Sequence, residues 1–152
     1  MTMYNENLNK YFDILIRKVK EIKDDIPVAA LVVKNNEIIS IKANEREKTN
    51  LTTAHAEVLA IEEANKKLGS WRLDDCDMYV TLEPCPMCAW AIINSRIKNL
   101  YFGSYDAKYG AFGSAINLKN LANSKINVYG GIKENQCNQL LENYFKRLRD
   151  EK

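Results

Sequence analysis

Histidine is almost absent from this chain: 152 residues hold one, His55. Any metal site built from several imidazoles is therefore excluded. Proline and glycine are also sparse, at three and six residues, which argues against a collagen-like or low-complexity disordered chain. The longest uninterrupted apolar run is Met87 to Ile93, far below the roughly 18 residues that suggest a membrane span. The opening MTMYNENLNKYF has neither a basic start nor an apolar stretch, so it does not read as a secretory leader. The expected location is cytoplasmic. In that compartment the four cysteines are expected as ligands or buried thiols and not as disulfides.

Net charge of one sign is lacking too, at +2 overall, but its distribution is uneven. Residues 1–95 carry 12 basic and 15 acidic side chains, whereas residues 96–152 carry 10 and 5. A basic C-terminal third permits an anionic partner such as RNA without requiring one.

What is present reads as one globular domain spanning 1–152, with no repeat, linker or low-complexity tract. A chain of this size buries roughly 68–70% of its unfolded surface in one core. Leu8, Phe12, Leu15, Ile16, Val19 and Ile22 recur at helical spacing, predicting an amphipathic helix that ends near Asp24-Asp25. Residues 28–33 and 37–41 read as strands joined at Asn35-Asn36, a pair that tolerates a left-handed hairpin turn. Thr52 or Thr53 is expected to cap a helix over 54–68, closed by Gly69. A strand over 77–82, a helix over 87–95 starting at the Pro84-Cys85-Pro86 corner, and a strand over 99–102 follow. A Gly- and Tyr-rich loop over 103–114, a strand over 126–129 and an amphipathic helix over 134–149 complete the chain. The order αββαβαβ(loop)βα implies an α/β fold, with a central mixed sheet covered by helices on both faces.

The chemistry is concentrated in two short motifs. One is His55-Ala56-Glu57; the other is Pro84-Cys85-Pro86-Met87-Cys88. Cys85 and Cys88 share a face at the start of a helix, where the positive helix end favours thiolates. One imidazole and two thiolates make a three-ligand zinc site whose fourth tetrahedral position stays open to water, as in catalytic zinc centres. Zinc lowers the pKa of bound water from about 15.7 to about 7. Glu57 is then suited to act as general base on that water and general acid toward the substrate. Two other readings compete. A redox dithiol needs no His-x-Glu, and a closed structural zinc needs a fourth ligand that Cys76 and Cys137 are not spaced to provide. Those two cysteines are read as buried thiols without chemistry.

His-x-Glu followed by Pro-Cys-x-x-Cys is the signature of zinc deaminases acting on nucleobases. The resemblance extends further, from Ile26 to Ser114 and more loosely to Arg149. IPVAALVVKNNEII, TAHAEVLAI, MYVTLEPCPMC and SRIKNLYFGSYDAKYGAFGS together resemble the bacterial tRNA-specific adenosine deaminases. That resemblance implies a cytidine deaminase-like three-layer α/β/α sandwich with a five-stranded mixed sheet. It implies hydrolytic conversion of adenosine to inosine at the wobble position (A34) of a tRNA anticodon stem-loop, by zinc-bound hydroxide attacking C6. One zinc per subunit would be held by His55, Cys85 and Cys88, with Glu57 as proton shuttle.

Asn44, eleven residues before His55, matches the family asparagine that hydrogen-bonds the purine, and Ala56 lies with it among the implied substrate contacts. Asn44 alone would read as a turn residue. Asp106 and Lys108 match a loop lying against the anticodon, and otherwise read as a solvated turn. Phe145 and Arg149 match a terminal helix that holds RNA, although Phe145 also fits a plain core position. The resemblance further implies a homodimer and no DNA or membrane partner. A small-molecule deaminase of guanine or cytosine is the competing enzyme reading, and a non-catalytic RNA-binding scaffold the competing non-enzyme one. Leu51-Thr52, Ala43 and Trp90 depart from the residues usual in the family at those places.

Overall fold

The structure is a computed structural model describing residues 6–151; the first five residues of the opening MTMYNENLNKYF, read above as unlike a secretory leader, lie outside them. α1 (Glu6–Val19) is followed by the hairpin β1 (Ala29–Lys34) and β2 (Glu37–Ala43). Next come α2 (Arg46–Thr49), α3 (Ala56–Leu68), β3 (Cys76–Leu82) and α4 (Pro86–Asn94). β4 (Asn99–Ser104), α5 (Leu118–Leu121), β5 (Asn127–Tyr129) and α6 (Glu134–Asp150) close the chain. The strands form one sheet in the order β2-β1-β3-β4-β5. β1 is antiparallel to both β2 and β3, whereas β3, β4 and β5 run parallel.

Period-two alternation along the strands sorts side chains into two cores. Ala30, Val32, Met78, Val80, Leu100 and Phe102 face α3 and α4 and pack with Ala56, Ala60, Ala64 and Ile92. Ala29, Leu31, Val33, Tyr79 and Tyr101 face the other way, against Leu8, Phe12 and Leu15 of α1 and Cys137 of α6. The expected three-layer α/β/α sandwich with a five-stranded mixed sheet is what forms.

Local chemistry explains most element boundaries. Asn35 and Asn36 take φ of 52° and 62°, the left-handed pair of the predicted tight hairpin. Gly69 (φ 64°) closes α3, donating its N–H to Asn65 O. The first helix stops at Val19, short of the predicted limit, because Glu21 N–H bonds Lys18 O and Ile22 N–H bonds Val19 O. These i→i+3 bonds wind the end into a turn. The expectation that Thr52 or Thr53 caps the next helix is corrected. His55 holds the cap position of α3 without a side-chain cap bond, because its ring is turned to the cysteines. α2 and α5 have four residues each, too few to display a hydrophobic period in the sequence.

Two features of the fold place the site. Ala56, Ala60 and Ala64, all fully buried, form an i, i+4 stripe of small side chains that lets α3 lie close on the sheet. The Ser40 hydroxyl of β2 donates to Ala60 O at 2.8 Å, fixing the helix lengthwise. α3 and α4 then present their N-termini beside the carboxyl end of β3, the edge at which open α/β sheets take ligands.

Candidate active site

His55 at the N-terminus of α3 and Cys85 at that of α4 face each other across this end of the sheet. The His55 Nδ1 atom lies 3.4 Å from Cys88 Sγ and 3.8 Å from Cys85 Sγ. All three ligand atoms lie within 4.8 Å of one another. Tetrahedral zinc with bonds of about 2.1 Å to nitrogen and 2.3 Å to sulfur requires N···S separations of about 3.6 Å. The donor set therefore fits that ion in both chemistry and spacing. Among the described residues no other histidine, cysteine or carboxylate joins the cluster, so the group could offer a metal ion three ligands.

The electrostatics agree with a cation-binding role. A hydrogen bond from Cys88, reinforced by one from His55, pulls the Cys85 thiol down to about 4. Cys88, as the donor in that pair and buried as well, is pushed up. The partnership with Cys85 raises His55. A cation placed among the three would favour the deprotonated form of both sulfurs.

Glu57 lies in the first turn of α3 and is 5% exposed. Burial, as the largest cause, raises its carboxyl to about 7. Such a group can accept and return a proton near neutrality. A cation held by the three ligands would pull it downward by direct attraction.

His55, Glu57 and Cys85 line a cavity of about 440 Å³, within the range of small-molecule sites, with Cys88 buried behind them. Its apolar walls include Ile26, Val28, Ala56 and Leu82, and Asn44, Arg46, His55, Glu57, Glu83, Cys85, Asp106 and Tyr109 also line it. Asn44 is nearly buried. Its Oδ1 accepts the Arg46 N–H at 3.1 Å, which identifies the oxygen and leaves the carboxamide NH2 as the donor for a ligand. The Asp25 carboxylate holds this wall from behind, accepting Glu47 N–H at 2.7 Å and Lys48 N–H at 3.2 Å.

Of the other residues singled out in the sequence, Asp106 lines the cavity and caps its own loop, accepting the N–H groups of Lys108 and Tyr109 at 3.1 Å each. Lys108 is exposed, its ammonium 5.2 Å from the Tyr109 ring centre, and lies outside the cavity lining. Phe145 and Arg149 sit on the exposed end of α6, also away from the cavity. Phe145 is 47% exposed, which corrects its reading as a plain core residue. Arg46, Tyr109 and Glu83 were not anticipated. Only Glu83 left a trace in the sequence, as an acid between the apolar end of a strand and a proline.

Comparison with known proteins follows the same lines. A family model described as MafB19-like deaminase matches residues 6–149. The tRNA-specific adenosine deaminase of Bacillus subtilis is 43% identical over 89% of this chain and 85% of its own. A solved structure from work on A-to-I editing by tRNA:A34 deaminases at the wobble position of transfer RNA superposes with a TM-score of 0.82. It is 35% identical and covers 88% of this chain and 99% of its own. The guanine deaminase of Bacillus subtilis superposes with a TM-score of 0.60, at 38% identity over 68% of this chain and 66% of that one. With its cytidine deaminase-like fold and relatives aligned along most of its length, this chain belongs to the tRNA-specific adenosine deaminases.

Proposed function

We propose that this protein deaminates adenosine to inosine at the wobble position (A34) of a tRNA anticodon stem-loop. The observation that carries the chemistry is the nearly buried Glu57 carboxyl, beside a His-Cys-Cys donor set and lining the same cavity. The substrate is supported by the relatives named tRNA-specific adenosine deaminase. His55, Cys85 and Cys88 would hold one zinc ion per subunit, and that ion would supply Lewis acidity, making a water nucleophilic near neutral pH.

The chain's own groups do the rest. Glu57 accepts a proton from the attacking water and passes it to the purine ring nitrogen; a second transfer to the exocyclic amine lets ammonia leave. Water and adenosine become inosine and ammonia, with Glu57 returned to its starting state. The Asn44 carboxamide donates to the purine, and Ala56 packs against it. A base reaches so deep a site only when it is unstacked and turned out of the loop. The loop residues Asp106 and Lys108 and the exposed Phe145 and Arg149 of α6 then meet the anticodon stem-loop, basic groups on phosphates and the ring by stacking. The active form is a cytoplasmic homodimer acting through the single domain 1–152, without DNA as substrate. Among the described residues no helix is long and apolar enough to cross a membrane.

The test is incubation with a transcribed anticodon stem-loop bearing A34, sequenced for inosine, with zinc content and sedimentation read on the same sample. The likeness to a guanine deaminase supports a second reading, a small-molecule nucleobase deaminase. Ammonia release from free guanine or cytosine without editing of the hairpin would establish that reading in place of the first.

A further inference from the structure

Glu83 ends the apolar strand β3 and is 2% exposed, yet it belongs to neither the donor set nor the proton path. Each of its oxygens is engaged by the loop that follows β4. Oε1 accepts Asp106 N–H at 3.1 Å and the Ser114 hydroxyl, and Oε2 accepts Phe112 N–H at 3.0 Å and Ser114 N–H at 3.2 Å. An ionised carboxylate is acceptor-only, with about four lone-pair sites, and here four donors converge on it. The loop is built to bring them in. Gly110 lies so close that a Cβ there would collide with the Glu83 carboxyl and with Asp106 O, and Ala111 N–H bonds Pro84 O at 2.9 Å. The same loop carries Asp106 and Tyr109 into the cavity wall.

We propose that Glu83 is the positioning residue of the outer wall: its buried carboxylate holds residues 105–114 in the shape that sets Asp106 and Tyr109 against the substrate. This rests on the functional reading above for the identity of the substrate, an RNA hairpin, but not for the anchoring. Although Glu83 borders the cavity, both of its oxygens are taken by the loop, so it acts through the loop. Glutamine at this position keeps the size but turns one acceptor oxygen into an NH2 group facing N–H or hydroxyl donors, so at least one donor on the loop loses its partner.

The experiment compares Glu83→Gln, Gly110→Ala and Ser114→Ala with the unaltered zinc-loaded protein. Amide hydrogen exchange is followed at Asp106, Phe112 and Ser114, alongside kcat and KM on the A34 hairpin and zinc content. In Glu83→Gln the three loop amides should lose at least about tenfold of their protection while β1 and β3 keep theirs. KM should rise about tenfold or more with kcat changed less than about threefold, and zinc should stay bound. Gly110→Ala should shift KM in the same direction. Ser114→Ala, which removes only the hydroxyl, should change it less. Unchanged loop protection would overturn the anchoring. Lost protection with unchanged KM, or a fall in kcat alone, would overturn the positioning role. If Glu83→Gln does not fold, Gly110→Ala decides by the same readings. A wild-type protein inactive on the hairpin refutes the functional reading and leaves the anchoring to amide exchange.

Discussion

Glu57 combines burial with proximity to the donor set, and its predicted loss is diagnostic. Glu57→Gln keeps the shape but cannot carry a proton, so turnover of the A34 hairpin should fall by about 10²–10⁴-fold. Zinc content and the unfolding midpoint should stay near those of the parent; metal analysis and single-turnover kinetics together check this. Unchanged activity would remove Glu57 from the mechanism. His55→Ala should instead lose metal and lower the thermal midpoint, because site formation contributes to folding. Chelation of the parent protein should reproduce that drop in a thermal melt. His55, Glu57, Cys85 and Cys88 were legible in the sequence because they lie in two short motifs, His55-Ala56-Glu57 and Pro84-Cys85-Pro86-Met87-Cys88. Glu83 and Arg46 were not, since their roles arise from backbone groups more than twenty positions away or from a shared cavity.

At the scale of elements, packing of the helices on the sheet depends on two glycines for different reasons. Gly103 in β4 leaves room for α6: a Cβ there would run into Cys137 and the backbone oxygen of Thr81. Gly103→Ala should cost about 1–3 kcal/mol through overpacking. Gly69 has open space around it and only its φ of 64° to satisfy, so Gly69→Ala should cost about 1 kcal/mol. Denaturant midpoints at constant slope test the order, and a larger loss at Gly69 would contradict the packing argument. Helices and strands of six or more residues could be anticipated from periodicity and turn residues. The two four-residue helices could not, and α3 was expected two residues too early because a threonine before an apolar run resembles a cap. Its true cap residue is committed to the cysteines.

For the whole molecule, the sheet's far face carries a row of tyrosines whose register crosses three strands. Tyr79, Tyr101 and Tyr129 are paired neighbours on β3, β4 and β5, with ring centres 4.7 and 5.1 Å apart and nearly parallel. Tyr11 of α1 adds a fourth ring 4.8 Å from Tyr79. Burial, helped by neighbouring Asp77, raises Tyr101 to about 12 from an ordinary 10.0, and burial raises Tyr79 further. The sign of the linkage follows. The unfolded chain releases these phenolic protons first, so stability is unaffected below about pH 10 and falls as pH climbs toward about 12 and beyond. A titration of tyrosinate absorbance should show a late class that ionises only as the sheet unfolds. If all tyrosines titrate together near 10 in the folded protein, the ladder is not closed to solvent.

The amino-acid sequence alone determined the alternating strands, the amphipathic helices and the identity of the four chemical groups. Each of those is written in residue type and short-range spacing, where geometry is fixed by one helical turn or one pleat. Only the tertiary structure decided which residues line the cavity. That choice depends on distances between segments far apart in the chain. It brings Glu83 under the 105–114 loop and Asp25 behind the Asn44 wall, and it leaves Phe145 and Arg149 on the exposed end of α6. A buried carboxylate shows what it holds only when its donors have been carried to it by the fold.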